Sequence, residues 1–287
     1  MNNLIIGSSG NIGIHYLNKS KYKFNFFSSR KKNKNKKLIF LPLNLDKIKS
    51  FILEKKISSV VILTAISNPK QCKANLEYSK KINIIFIKKL VKLLIKLKIY
   101  FIFFSSEYVY PGNSKINKYT ERSKIFTKMI YGKQKIQIEN YLKKQLYDNY
   151  AVLRLSKTFG DNINDKTLFS KILKEYRNGN KRFKIASDQF FCPVYVNDLI
   201  KIIDIFIKKK VKGIYNVSGN TCKSRYDLIK FMSKTLNLKD MILNECSINE
   251  FDNKIYYPKV LNLSNTKLKK TINFKFTPIS KILKKIK

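Results

Sequence analysis

Asn3-Leu-Ile-Ile6 runs into Gly7-Ser-Ser-Gly10-Asn-Ile-Gly13, and this junction decides the fold. The pattern predicts a buried strand, a tight glycine turn and a helix reaching about Asn18. Glycines at such a turn let backbone approach a pyrophosphate placed on the helix N-terminus. Gly7, Gly10, Asn11, Ile12 and Gly13 are therefore read as dinucleotide-binding. The spacing is Gly-x-x-Gly-x-x-Gly, and its position between a first strand and a first helix gives it weight.

Strands and helices alternate from there. Strands are predicted over Lys23–Phe27, Leu38–Leu43, Ser59–Leu63, Tyr100–Phe104 and Ala151–Leu155, with a basic loop over Arg30–Lys37. Helices are predicted over Lys47–Lys55, in a long stretch up to about Lys98, and over Ile130–Leu146. This alternation implies an α/β fold, a Rossmann-type doubly wound parallel sheet covered on both faces. Beyond Gly160 the pattern loosens. Helices are expected over Lys166–Tyr176, Asn197–Lys209 with Asn197 as N-cap and Asp198 complementing the dipole, and from Ser224 to Leu236. Short strands are expected at Phe183–Ala186 and Gly213–Val217. Residues 1–160 thus read as the dinucleotide-binding core. Residues 161–287 read as a small mixed substrate-binding lobe over the sheet's carboxyl edge, with returning core elements, the whole forming one compact unit.

Composition narrows the function. The chain has 287 residues, 44% of them hydrophobic, which is enough to bury a sizeable core. Net charge is +42, but only six of the 60 basic residues are Arg. Lys, Ile, Asn, Phe and Tyr are abundant together while Gly, Pro and Trp are scarce. A/T-rich codons account for that set, and lysines spread over almost every polar face. A nucleic-acid groove concentrates Arg and aromatics on one surface, so no nucleic-acid partner is expected. Four scattered Cys and one His (His15) predict no metal site and no Ser-His-Asp triad. A reduced, cytoplasmic protein with no signal peptide and no membrane span is expected. The amphipathic tail Ile279–Lys287 reads as a core-packing helix rather than a membrane-surface one.

Chemistry concentrates in Tyr131-Gly-Lys-Gln-Lys135, downstream of Ser105-Ser106. Tyrosine and lysine four apart share a helix face, and an ammonium beside a phenol eases its ionisation. The pair recurs at Tyr226 and Lys230 without chemistry around it, so context must separate the two. Toward the cofactor, an NAD-type site places an acid after the second strand. Here Ser28-Ser29-Arg30 stands there instead. Ser29 and Arg30 suit a 2′-phosphate, which favours NADP(H) over NAD(H). Thr64 and Ala65 close the fourth strand on the diphosphate and nicotinamide path, and Asn44 and Leu45 are placed for adenine.

Several segments in order resemble the extended short-chain dehydrogenase/reductases, specifically their dTDP-4-dehydrorhamnose reductase-like branch. They are the glycine turn, Phe104-Ser-Ser-Glu-Tyr-Val-Tyr-Pro-Gly112, Tyr131-Gly-Lys-Gln-Lys135 with Glu139, Val152-Leu-Arg-Leu-Ser156 and Phe159-Gly160. Ser187-Asp-Gln-Phe190, Pro193-Val-Tyr-Val-Asn-Asp198 and Tyr215-Asn-Val-Ser-Gly219 continue the series. The resemblance implies an NADPH-dependent reductase of a nucleotide-activated 4-keto-sugar. Ser106, Tyr131 and Lys135 are then catalytic, Ser105 joins the cofactor contacts, and Glu107, Tyr108, Lys157 and Gln189 face the nucleotide-sugar. Dehydratases of this group carry an Asp-Glu pair where this chain has Glu107-Tyr108, so elimination lacks its second carboxyl. An NAD-retaining epimerase and a non-catalytic dinucleotide-binding member are the competing expectations. Lys157 stands where rhamnose-forming members have Trp, and Thr127-Lys-Met129 replaces their prolines, which leaves the sugar open. The resemblance also implies a homodimer through Ile82–Lys98 and Ile130–Leu146, against which their lysine-rich faces argue.

Overall fold

The computed structural model describes residues 2–20, 25–32, 37–112, 118–165, 167–251 and 255–286. Lys23 and Phe24 of the expected second strand, 33–36 of the basic loop, Lys166 and Lys287 lie outside them. The described chain forms two compact units. The first comprises Met1–Ser106, Ile130–Arg154 and Ile200–Tyr215; the second comprises Glu107–Met129, Leu155–Leu199 and Asn216–Lys287. A single cut near residue 160 does not describe this division. The chain leaves the first unit after Ser106, re-enters it at Ile130, leaves again after Arg154 and returns once more at Ile200.

The first unit holds the sheet strands β1 (Asn2–Ile6), β2 (Asn25–Ser29), β3 (Ile39–Phe40), β4 (Ile57–Ile62), β5 (Tyr100–Ser106) and β6 (Tyr150–Leu155). With the edge strand Gly213–Val217 they make a seven-stranded sheet, ordered from that strand through β6, β5, β4, β1 and β2 to β3. β1 pairs in parallel with both β2 and β4, and β4 with β5. Strand order reverses beside β1, and such a switch point opens a crevice at the strands' carboxyl ends. Leu4, Ile5, Val60, Val61, Phe101 and Phe103 are fully buried, as expected of strands covered on both faces.

Two strand expectations shift. β2 reaches Ser29, pairing Ser28 with Ile6. The strand expected over Leu38–Leu43 contracts to β3, because Pro42 has no N–H for a ladder and edge pairing ends with Leu41 N donating to Ser29 O.

Helices α1 (Asn11–Lys19), α2 (Leu45–Glu54) and α6 (Ile130–Lys143) form close to their predicted places. The long helix expected up to Lys98 is broken into α3 (Pro69–Ala74), α4 (Leu76–Lys80), a π-helical turn (Lys81–Phe86) and α5 (Ile87–Lys96). Asn75 makes the break: its backbone leaves the helical region (φ −136°, ψ 77°) and its side chain accepts from Tyr78 N.

The second unit is built from short pieces. Thr158–Phe159 pairs with Val194–Tyr195, and Arg182–Ala186 runs parallel to Ile242–Cys246. Phe190–Phe191 lies between Lys223–Ser224 and Val260–Leu261. Helices Leu168–Arg177 and Arg225–Thr235 cover them, the latter capped by Ser224 accepting from Asp227 N at 2.9 Å. The helix Val196–Lys209 starts one residue before the expected cap. Asn197 is therefore inside the first turn, where its amide donates to Tyr195 Oη instead of capping. The Asp198 carboxylate accepts from Thr277 N and Oγ1 at 2.7 and 2.8 Å. The tail forms the short helix Ile279–Leu283, and Ile282, Leu283 and Ile286 are buried. Its apolar face is covered by protein. Among the described residues, no helix is long and apolar enough to cross a membrane.

Candidate active site

β5 carries two buried serines to its carboxyl end, Ser105 and Ser106. On α6, Tyr131, Lys135 and Glu139 recur every four residues and so share a face. Lys135 Nζ donates to Phe104 O at 2.7 Å. The same ammonium lies 4.6 Å from the Phe103 ring centroid and 5.4 Å from that of Tyr131. One lysine thus links the end of β5 to the Tyr131 ring. Tyr131 and Ser106 keep 8% and 7% of their surface exposed, while Lys135 keeps 2%.

Burial draws the Lys135 ammonium down to about 7, although Glu139 and, more weakly, Cys72 support its charge. Glu139 is the anchor of the group. It accepts from Ser105 Oγ at 2.5 Å and from Arg154 Nη2 at 2.7 Å, with Arg154 Nε at 3.1 Å. Arg154 and Glu139 are both almost fully buried, so this forked ion pair ties β6 to α6 and, through Ser105, to β5. Sequence reading quoted Glu139 and Arg154 as motif letters without assigning them work. A carboxylate eight residues after Tyr131 on one helix face was the available signal.

A second brace comes from Asn83, in the π-helical turn. Asn83 Oδ1 accepts from Ile66 N, and its amide donates to Ile66 O and to Gln134 Oε1 at 2.9 and 2.7 Å. Gln134 in turn donates to Ser79 Oγ. The loop after β4, the turn and α6 are locked together one residue from Lys135.

The glycine turn has the shape of an anion cradle. Gly7 has φ +93°, and a Cβ there would lie 2.6 Å from Thr64 N and Oγ1. A Cβ on Gly13 would lie 2.3 Å from Ser8 Cα. Gly10 is the N-cap of α1, with no side-chain cap and no acid in the first turn. The first N–H groups of the helix, from Asn11 and Ile12 onward, are left for an anion, and the helix dipole favours one. These residues fit a dinucleotide's pyrophosphate.

The outer cofactor positions are engaged locally. Arg30 Nη1 donates to Tyr78 Oη at 2.9 Å, and Ser29 Oγ accepts weakly from Lys31 N. Asn44 is the N-cap of α2, accepting from Lys47 N at 3.0 Å, and Leu45 is the helix's first residue. Thr64 is buried against Gly7, with Ala65 half-buried beside it.

Of the residues assigned to substrate, three come together in the second unit. Glu107 accepts from Lys157 Nζ at 3.0 Å and from Ser156 Oγ. Lys157 Nζ lies 4.9 Å from the Tyr108 ring centroid and 4.6 Å from that of Phe191. Burial opposes the Lys157 charge, but Glu107 and Tyr108 outweigh it and hold the ammonium above its usual range. Lys157 also lines a cavity of about 210 Å³ whose walls are Phe159, Leu168, Phe169, Phe191 and Pro193. Gln189 belongs to the same unit and is bonded to Arg225, whose charge acts on Lys157. It is fully buried, accepting from Arg225 Nε at 2.6 Å and donating to Pro258 O at 3.1 Å.

Strand order and glycine turn together define a Rossmann-type α/β fold with a cradle suited to a dinucleotide. The chain matches the RmlD substrate binding domain family over residues 1–286 and belongs to that family. A dTDP-4-dehydrorhamnose reductase of Clostridium acetobutylicum superposes with a TM-score of 0.84 at 22% identity, covering 100% of this chain and 98% of that one. The Bacillus anthracis dTDP-4-dehydrorhamnose reductase in complex with NADP gives 0.83 at 20% identity, covering 99% and 98%. Methionine adenosyltransferase 2 subunit beta of Xenopus laevis is 25% identical over 201 residues, 67% of this chain. The matched region spans only 58% of that relative's length.

Proposed function

We propose that the protein reduces a nucleotide-activated 4-keto-sugar with NADPH. The observation that carries this reading is the buried Lys135 ammonium held between Phe104 O and the Tyr131 ring, with Ser106 ending the same strand. The dinucleotide, when bound, supplies hydride to the keto carbon. Tyr131 Oη gives its proton to the keto oxygen, and Ser106 Oγ donates a hydrogen bond to the same atom. Lys135 stabilises the phenolate that proton transfer leaves behind. Gly7, Gly10 and Gly13 hold the pyrophosphate. Arg30, now bonded to Tyr78, would hold a 2′-phosphate where an NAD site has an acid. Structural neighbours carry either NADP or NAD, which supports a nicotinamide dinucleotide, and the choice of NADP rests on Ser29 and Arg30.

Glu107 supports reduction over dehydration. Its two oxygens are engaged by Ser156 and Lys157, and the next side chain is a phenol rather than a second carboxyl. Tyr108, Lys157 and the cavity beside Lys157 face the sugar in this reading, and Glu107 helps keep the Lys157 ammonium charged. The decisive experiment offers NADPH with a panel of NDP-4-keto-6-deoxysugars and follows the fall of NADPH absorbance. No consumption, together with NAD retained on the purified chain, would replace the reductase with an epimerase. No turnover and no retained NAD would favour a non-catalytic role, in keeping with the relatives named as a subunit of methionine adenosyltransferase.

The pH dependence has a definite sign. In the free protein the Lys135 charge is present below about 7 and is lost as pH rises through that value. Since kcat/KM reports free enzyme, it should decline on the alkaline side of neutrality. Lys135→Met should lower the rate and flatten that limb; an unchanged limb would detach it from Lys135.

A further inference from the structure

Phe190–Phe191 and Lys223–Ser224 are antiparallel, with Phe191 opposite Lys223 and Phe190 opposite Ser224. Continued by one residue, the register sets Cys192 opposite Cys222. The hydrogen-bond phase then fixes the kind of pair. Arg225 N donates to Gln189 O at 3.0 Å, and Phe190 N turns away to Lys259 O. Bonded and non-bonded pairs alternate along such a ladder. Gln189/Arg225 and Phe191/Lys223 are therefore bonded pairs, and Cys192/Cys222 is a non-bonded one. Non-bonded pairs bring Cα atoms to about 4.5 Å, within the roughly 4.4–6.8 Å that a disulfide spans. The Cys192 thiol donates to Asn262 Oδ1 at 3.4 Å and to Leu261 O at 3.9 Å, and the two thiols lie close enough to shift one another's ionisation, Cys192 upward and Cys222 downward. Cys192 is buried and Cys222 is half-buried, so only Cys222 offers solvent a reachable sulfur.

We propose that Cys222 and Cys192 are a modification site, at which a low-molecular-weight disulfide of the glutathione type closes an intramolecular Cys192–Cys222 bond. The Cys222 thiolate attacks one sulfur of the small disulfide, forming a mixed disulfide and releasing one small thiolate. Cys192, its proton passing to solvent, then attacks the Cys222 sulfur and displaces the second small thiolate. Two protein thiols are oxidised, one small disulfide is reduced to two thiols, and the protons lost by the cysteines end on them. The electrostatics suit these roles. The neighbouring Cys192 thiol, with support from Lys118, holds the Cys222 thiol below its usual range against burial and the Glu107 charge. The bond pins the strand that carries Phe191, whose ring packs on Lys157.

The test treats the folded full-length chain with oxidised glutathione, then alkylates and digests it without reduction. The expected result is a linked Cys192–Cys222 peptide pair, alkylation only at Cys72 and Cys246, and a higher melting temperature. Cys192→Ser should trap one glutathionyl group on Cys222. Cys222→Ser, altering only the half-buried partner, should leave the remaining thiols unmodified even where Cys192→Ser fails to fold. Four alkylatable thiols after oxidation, or glutathionylation of Cys192 in Cys222→Ser, would overturn the proposal.

Discussion

Tyr131→Phe should reduce kcat by about 10²–10⁴-fold, the range associated with a positioned proton donor, while dinucleotide affinity and melting temperature stay near those of the parent. The asymmetry follows from what the substitution removes. The Tyr131 ring is buried, and it is the ring that Lys135 Nζ approaches at 5.4 Å. Phe keeps the ring, so packing and the cation–π contact survive. Only the hydroxyl is lost, and with it the proton. Steady-state kinetics with a keto-sugar, dinucleotide titration and a thermal melt separate the three quantities. Full turnover in the variant would remove Tyr131 from the chemistry. Loss of folding would mean that its hydroxyl is mainly a structural group.

The strands of the seven-stranded sheet were legible from sequence because apolar runs bounded by Gly, Pro and Asn have few other readings, whereas most of the short strands of the second unit were not. The sheet order follows from the alternation once β1 feeds a glycine turn. Helix continuity was not legible. Asn75 looks like any polar helix position, and only its accepted bond from Tyr78 N reveals a break. Asn197 shows the reverse error: a favourable cap residue lost to a helix that starts at Val196. At the candidate site, Tyr131 and Lys135 were visible by spacing, since one helix holds both. The Glu139–Arg154 pair was not, because its members sit on a helix and a strand, and only packing brings them together. Gln189 shows contacts that motif letters do not carry. Its place in a matching segment marked it for substrate, and the structure adds its bonds to Arg225 and Pro258 inside the second unit.

The largest stability effect is expected at Glu139. Glu139→Ala leaves Arg154, 1% exposed, without its counter-ion. Arginine cannot shed its proton to escape, so the charge stays buried without this carboxylate. Breaking one side of such a pair costs about 3–5 kcal/mol, which a denaturant titration of the folded chain reads directly. Ser105→Ala removes a single hydrogen bond to the same carboxylate and should cost about 1 kcal/mol. Replacing both partners, Glu139→Met with Arg154→Met, should recover most of the loss, because no uncompensated charge remains. The pair also acts on the chemistry. Glu139 supports the Lys135 ammonium, so Glu139→Gln should move the alkaline limb of kcat/KM to lower pH. Equal stability in Glu139→Ala and Ser105→Ala would show that Arg154 finds another partner. An unmoved alkaline limb in Glu139→Gln would confine Glu139 to holding β5, β6 and α6 together.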